Sequence, residues 1–174
     1  MLLEKIKSEP LLSYYIRPTC DENDVGVSFD PSVLTDDYLI IKVDEYFQSA
    51  IRSNTPRGID CLIIQKCVDN QYKLYLIELK NIKELNSGEG VIKHIYDKFQ
   101  NCFDILISDH FRSLFYDETY QFSDIKLYFI SNLKKDKKQK NTRLDTLLSY
   151  KPCRFANRRY GISISEPYPM ITPC

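Results

Sequence analysis

The chain has 174 residues, 43% of them hydrophobic, and its 24 Lys and Arg residues balance 24 Asp and Glu residues at a formal net charge of zero. This size and composition favour a single domain, residues 1–174, with its own hydrophobic core. No apolar run reaches the roughly 18 residues of a membrane span, and the start, MLLEKIKSEP, lacks the apolar region of a signal peptide. The sequence therefore predicts a cytoplasmic protein without a membrane partner.

The first elements give weak signals. Residues 1–35 contain three prolines and no clear periodicity, which predicts loops with a short helix or strand. In residues 36–53, DDYLIIKVDEYFQSAIRS, apolar residues recur about one helical turn apart after a Thr/Asp start, which favours a helix for at least the second half. The alternative is a strand over YLIIKV, because β-branched residues crowd it.

The remaining elements have clearer patterns. IDCLIIQK (59–66) and QYKLYLIELK (71–80) are typical of two strands joined by a VDN turn, and residues 91–107 carry an apolar stripe at helical period. Residues 125–131 predict a buried strand, 144–150 a short helix and 160–166 another strand. This order predicts an α/β fold with a mixed central β-sheet flanked by α-helices.

The six cysteines are Cys20, Cys61, Cys67, Cys102, Cys153 and Cys174. They form no CxxC motif and no pairing with His, so a zinc site has almost no support. Because nothing marks the chain as secreted, we expect reduced and partly buried thiols.

The 59–80 hairpin places charged residues in an apolar setting. A turn centred near Asp69 pairs residues whose numbers add to about 138 or 139, which sets Asp60 opposite Glu78 or Leu79. Alternation along the second strand directs Glu78 and Lys80 to one face and anchors Leu79 in the core behind them.

Neighbouring carboxylates on two strands repel each other, and a hard divalent cation turns that repulsion into a binding site. Mg²⁺ takes one or two carboxylates and keeps waters or substrate phosphate oxygens, and an adjacent lysine can orient water or stabilise charge on phosphorus. These residue types suit hydrolysis of a phosphodiester. The alternative is an ordinary surface ion pair between Lys80 and Glu78 or Asp60.

PRGID, IELK and the following helix and strand, about residues 36–131, resemble the PD-(D/E)xK nucleases, the restriction-endonuclease-like superfamily. The resemblance implies that Asp60 and Glu78 bind Mg²⁺, for which Mn²⁺ can substitute, and that Leu79 adds its backbone carbonyl. It also implies that Lys80 is the catalytic base or electrostatic helper, so the predicted catalytic residues are Asp60, Glu78 and Lys80. The spacing of Pro56 from Asp60 departs from a literal PD pair.

Many members of this family place a further acid on the helix before the first motif. Asp44 and Glu45 are the candidates, and Asp44 borders the apolar stripe, so it is the better placed metal ligand. A solvated acid is the alternative. After the motif, Lys98 and Gln100 could approach substrate, but exposed polar positions on an amphipathic helix are favoured for both.

The C-terminal region is basic. Residues 134–159 hold ten Lys and Arg against two Asp and Glu, which is typical of a surface that faces a polyanion. Within residues 132–174 the predicted nucleic-acid contacts are Lys134, Lys135, Arg143, Arg154, Arg158 and Arg159. Phe155 and Tyr160 offer rings that could stack on bases.

The sequence thus predicts a Mg²⁺-dependent endodeoxyribonuclease, similar to a compact type II restriction enzyme and acting as a homodimer on DNA. One alternative is a non-catalytic nucleic-acid-binding or assembly module that keeps the fold. Another is a nuclease for RNA or branched DNA.

Overall fold

The computed structural model describes residues 1–81, 89–132 and 151–174. The strands in these residues are β1 (Ile16–Arg17), β2 (Asp21–Glu22), β3 (Val25–Gly26), β4 (Ser28–Phe29), β5 (Tyr38–Lys42), β6 (Cys61–Lys66), β7 (Gln71–Lys80), β8 (Gln121–Ser131), β9 (Cys153–Phe155), β10 (Arg158–Tyr160), β11 (Ile162–Ser165) and β12 (Met170–Ile171). The helices are α1 (Leu2–Ser8), α2 (Pro10–Ser13), α3 (Val43–Ala50), α4 (Glu89–Asn101), a π-helical continuation (Cys102–His110) and α5 (Arg112–Phe115). The helix predicted over 144–150 lies outside the described residues.

Six strands form one central sheet in the order β1-β5-β6-β7-β8-β11. Neighbours are antiparallel from β1 to β7, whereas β8 runs parallel to both β7 and β11. A parallel neighbour requires a crossover connection, and α4 with its π-helical continuation lies in that crossover. The predicted α/β class, with a mixed central sheet and packed helices, is confirmed.

The two faces of the sheet are covered differently. On one face Leu62, Leu76 and Phe129 share a core with residues from all five helices, such as Phe47 and Phe99. We call this the helix face. On the opposite face a smaller core holds residues of the short N-terminal and C-terminal strands against the sheet. Burial on both sides explains why the central strands are almost continuously apolar.

The segment after residue 35 divides into two elements. Tyr38–Lys42 is a strand and Val43–Ala50 is a helix, so the helix prediction is confirmed for the second half, and the first half follows the strand alternative. The strand alternative holds there because Ile40 and Ile41 are buried on opposite faces of the sheet, a position that favours β-branched side chains.

The cysteines do not match the expectation of reduced thiols. Cys20 is bonded to Cys61 and Cys67 to Cys174, with Cα–Cα separations of 6.1 and 5.4 Å, so that expectation is wrong for four of the six. The remaining two, Cys102 and Cys153, are free and buried. The partners are 41 and 107 residues apart, and therefore only the folded chain reveals the pairing.

Within the described residues, no helix has the length and apolar character needed to cross a membrane.

Candidate active site

The hairpin formed by β6 and β7 has one of the two registers that the sequence predicts. Cys61 pairs with Ile77 and Leu62 with Leu76, so the paired numbers add to 138 and the next position sets Asp60 opposite Glu78. Asp69 and Asn70 have φ values of 53° and 58° in the turn, a left-handed conformation that Asp and Asn tolerate. The hairpin therefore brings the two acids together, as expected.

Asp60 and Glu78 are buried carboxyl groups with different partners. Asp60 is 6% exposed, and its Oδ2 accepts a hydrogen bond from the Leu79 backbone N–H at 2.7 Å. Glu78 is 2% exposed, and the Lys98 Nζ donates to its Oε1 at 2.5 Å. Within the described residues, the second oxygen of Glu78, Oε2, is buried without a hydrogen-bond partner. A buried polar atom without a partner costs free energy.

The pKa of Glu78 is raised to about 8, chiefly by burial and also by the neighbouring Asp60 charge, while the Lys98 ammonium opposes the rise. Near neutral pH the fold therefore favours the protonated form of Glu78, and a divalent cation would compete with that proton for the same oxygens.

Lys98 does not occupy the exposed position on the amphipathic helix that the sequence favours for it. Its side chain is 26% exposed and reaches from α4 to Glu78 across the helix face. Gln100 is also tied to the fold, since its side chain donates to the Arg154 carbonyl at 3.1 Å and accepts from the Arg154 N–H at 3.0 Å. Sequence periodicity could not show these contacts because each joins the helix to a distant strand.

Asp44 lies in the first turn of α3, beside the same pair. The Val43 N–H donates to the Asp60 carbonyl at 3.2 Å, and burial raises the pKa of Asp44, with Lys42 opposing and Asp60 adding to the rise. Asp44 Oδ1 has no hydrogen-bond partner in the part of the chain that the structure describes, and it lies 3.9 Å from Lys42 Nζ. Glu45 instead forms an ion pair with an arginine 28 residues earlier.

Gly58 explains how α3 comes so close to Asp60. A Cβ at this position would lie 3.0 Å from the Asp44 backbone and 3.0 Å from the Phe47 ring. Only a residue without a side chain allows the loop before Asp60 to pack against the start of α3. The glycine of TPRGID thus has a steric role in placing the acids.

Lys80 and Leu79 complete the predicted set. Lys80 is exposed at the end of β7, on the same face as Glu78, and it forms no ion pair within the described residues. Leu79 is 4% exposed in the core of the opposite face, as predicted. Its N–H points to Asp60, and in a strand the carbonyl of the same residue points to the same side.

The donor set fits a hard cation in type. Carboxylate oxygens from Asp60 and Glu78, the Leu79 carbonyl and the nearby Asp44 are the ligands that Mg²⁺ accepts, with waters in the remaining positions. Across residues 1–81, 89–132 and 151–174, however, no three His, Cys, Asp or Glu side chains form a group close enough to hold a metal ion. A magnesium ion held here would therefore need carbonyl and water ligands beside the two acids.

The three C-terminal arginines predicted to bind nucleic acid lie away from the acidic pair. β9 and β10 form a hairpin on which Arg154 and Arg159 are directly opposite and Arg158 is nearby, all three exposed. They line a cavity of 340 Å³ together with Asp104. Gln100, which holds this hairpin, is about 200° around α4 from Lys98, so the helix separates the arginines from the acids.

The aromatic prediction for this hairpin is wrong for one ring. Phe155 is 7% exposed and stacks on Phe103 with ring centroids 4.9 Å apart, so it anchors the hairpin to the core. Tyr160 is half-buried beside the same ring. The predicted contacts Lys134, Lys135 and Arg143 lie outside the described residues.

Comparison of the chain with protein-family models, with curated proteins and with solved structures gave no match.

Proposed function

We propose that the protein is a Mg²⁺-dependent endodeoxyribonuclease with a restriction-endonuclease-like core. The observation that supports this most is the placement of Asp60 and Glu78. Both are buried on the helix face at one end of the sheet, and Lys80 is exposed beside them. Two buried acids next to each other are costly unless a cation binds between them, and an exposed lysine at the same end can meet a phosphate.

Asp60, Glu78 and the Leu79 carbonyl would hold Mg²⁺ or Mn²⁺, with Asp44 as a further candidate. When bound, the metal would act as a Lewis acid on a phosphate oxygen and lower the pKa of a bound water. Lys80 would orient the attacking water and neutralise charge on the phosphoryl group. Lys98 would have to share the Glu78 carboxylate with the metal or move away from it, because Lys98 already donates a hydrogen bond to one of the carboxylate oxygens.

The exposed arginines of the β9–β10 hairpin support a polyanionic substrate. Arg154 and Arg159 are opposite each other on exposed strands, and like charges in that position destabilise a hairpin. Phosphates of DNA would offset this repulsion. Because α4 separates the hairpin from the acids, a homodimer that presents both features to one duplex is part of the proposal. A cytoplasmic location is also part of it, and the two disulfides weigh against that location.

One observation favours the non-catalytic alternative. Lys98 already contacts Glu78 in the fold, so the acids could serve structure in a nucleic-acid-binding or assembly module without metal.

Cleavage assays separate the two functions. Supercoiled plasmid, linear DNA, RNA and a branched junction would be incubated with Mg²⁺ or Mn²⁺ and the wild-type protein, Asp60→Asn or Glu118→Gln as an exposed control. We expect wild type and the control to cleave DNA and Asp60→Asn to lose cleavage. Retardation of DNA in a gel without cleavage of any substrate would favour the binding module. Cleavage of RNA or the junction alone would change the substrate class.

A further inference from the structure

Ser131 ends β8 beside the proposed catalytic lysine. The parallel pairing of β7 and β8 places Glu78 next to Phe129 and Lys80 next to Ser131. Phe129 belongs to the core of the helix face, and Ser131, two residues later, points to the same side. Its side chain therefore shares a face with both Glu78 and Lys80.

The hydroxyl of Ser131 is buried and has no partner among the described residues. The residue is 2% exposed, and its Oγ forms no hydrogen bond within them. In a strand whose earlier residues on this face are Ile125, Leu127 and Phe129, an apolar residue would avoid the cost of such a hydroxyl. The side chain of this serine thus adds no hydrogen bond to the part of the fold that the structure describes.

Buried polarity is concentrated at this end of the sheet. Among the described residues, four polar or charged residues are buried: Asp60, Gln65, Glu78 and Ser131. Gln65 has its own partners, since it accepts a hydrogen bond from the Tyr75 hydroxyl and donates to the Thr172 carbonyl. The other three lie near the ends of β6, β7 and β8, and two of them have an unpartnered oxygen. This pattern indicates a polar ligand rather than a polar core.

We propose that Ser131 is a substrate-binding residue whose hydroxyl donates a hydrogen bond to a phosphate oxygen held beside Lys80. This inference rests on the proposed nuclease function and adds a residue to its site. Phosphate oxygens only accept hydrogen bonds, so a hydroxyl next to an ammonium group offers two matched donors. A carboxylate on this strand would repel the substrate, and an apolar residue would leave the phosphate oxygen without a partner.

Binding of a fluorescein-labelled DNA duplex in Mg²⁺, followed by anisotropy, tests this role in an Asp60→Asn background, which prevents cleavage. Adding Ser131→Ala should weaken binding about tenfold, while Ser163→Ala, at an exposed serine on the neighbouring β11, should not change it. Ser131→Thr keeps the hydroxyl and should bind like the parent.

Thermal unfolding of the same variants distinguishes binding from structure. Because the hydroxyl has no partner among the described residues, Ser131→Ala should leave the melting temperature unchanged or higher. A lower melting temperature, or DNA binding equal to that of the Ser163 control, would overturn the inference, as would a parent protein that does not bind DNA.

If the wild type cleaves DNA but Ser131→Ala has no effect on binding, only the role of Ser131 fails. If Ser131→Ala weakens binding but the wild type cleaves nothing, only the nuclease function fails.

Discussion

Glu78 should make the stability of the metal-free protein fall as the pH rises. Its pKa is raised from the ordinary value of 4.5 to about 8, so between these pH values the native state binds a proton that the unfolded state has already lost. The stabilising contribution is complete below about pH 4.5 and is lost as the pH rises through about 8, because stability decreases wherever the native state binds more protons. This is the opposite of the usual carboxylate in an ion pair.

The size of the effect follows from the two pKa values. At about 1.36 kcal/mol per pH unit, the difference between 4.5 and about 8 corresponds to a limit of about 5 kcal/mol. A Glu78→Gln variant resembles the protonated form, so it should match the wild type near pH 5 and be more stable by several kcal/mol near pH 9. Loss of the contact with Lys98 will reduce this gain.

Urea denaturation from pH 5 to pH 9, in the presence of a chelator, measures the free energy of unfolding at each pH. Glu118→Gln, at an exposed position, is the matched control and should follow the wild type throughout. A constant difference between wild type and Glu78→Gln across this range would refute the reasoning. So would a wild-type stability that rises relative to the variant with increasing pH.

Three further outcomes follow from the structure. Mn²⁺ should raise the melting temperature of the wild type more at pH 9 than at pH 6, because fewer protons compete for Glu78 at the higher pH. Differential scanning fluorimetry would measure this difference. An equal rise in Glu78→Gln would show that the metal binds elsewhere. Gly58→Ala should cost about 1 to 3 kcal/mol in urea denaturation, since its Cβ would meet the Asp44 backbone, whereas Gly90→Ala, at an open position, should not destabilise. Reduction should lower stability by about 4 kcal/mol for the disulfide that closes 41 residues and by about 5 kcal/mol for the one that closes 107. Non-reducing peptide mapping should recover the Cys67 and Cys174 peptides joined, and recovery of both as free thiols would contradict the pairing.

Local signals in the sequence were sufficient to predict the β6–β7 hairpin. The turn with Asp and Asn narrowed the register to two possibilities, and the structure has the one that sets Asp60 opposite Glu78. The long helix and β8 were predictable for the same reason, because periodicity and apolar runs extend over many residues in each.

Contacts between distant segments were not predictable. Lys98 has the same sequence context as any polar residue on an amphipathic helix, and only the packing of α4 on the sheet brings it to Glu78. Ser131 follows an apolar run, and its importance appears only when β8 is paired with β7 and Lys80 becomes its neighbour. The separation of Arg154 from the acids also depends on which side of α4 the β9–β10 hairpin packs.

Plasmid cleavage by Lys80→Ala is the most direct test of the proposed site. Lys80 is exposed and makes no ion pair within the described residues, so its removal should leave the melting temperature unchanged. Lys93→Ala, at an exposed position on α4, is the control. With Mg²⁺ present, the proposed mechanism predicts a fall in cleavage rate of at least about a hundredfold for Lys80→Ala and no change for Lys93→Ala. Equal cleavage by the wild type and both variants would show that the reaction does not use this end of the sheet.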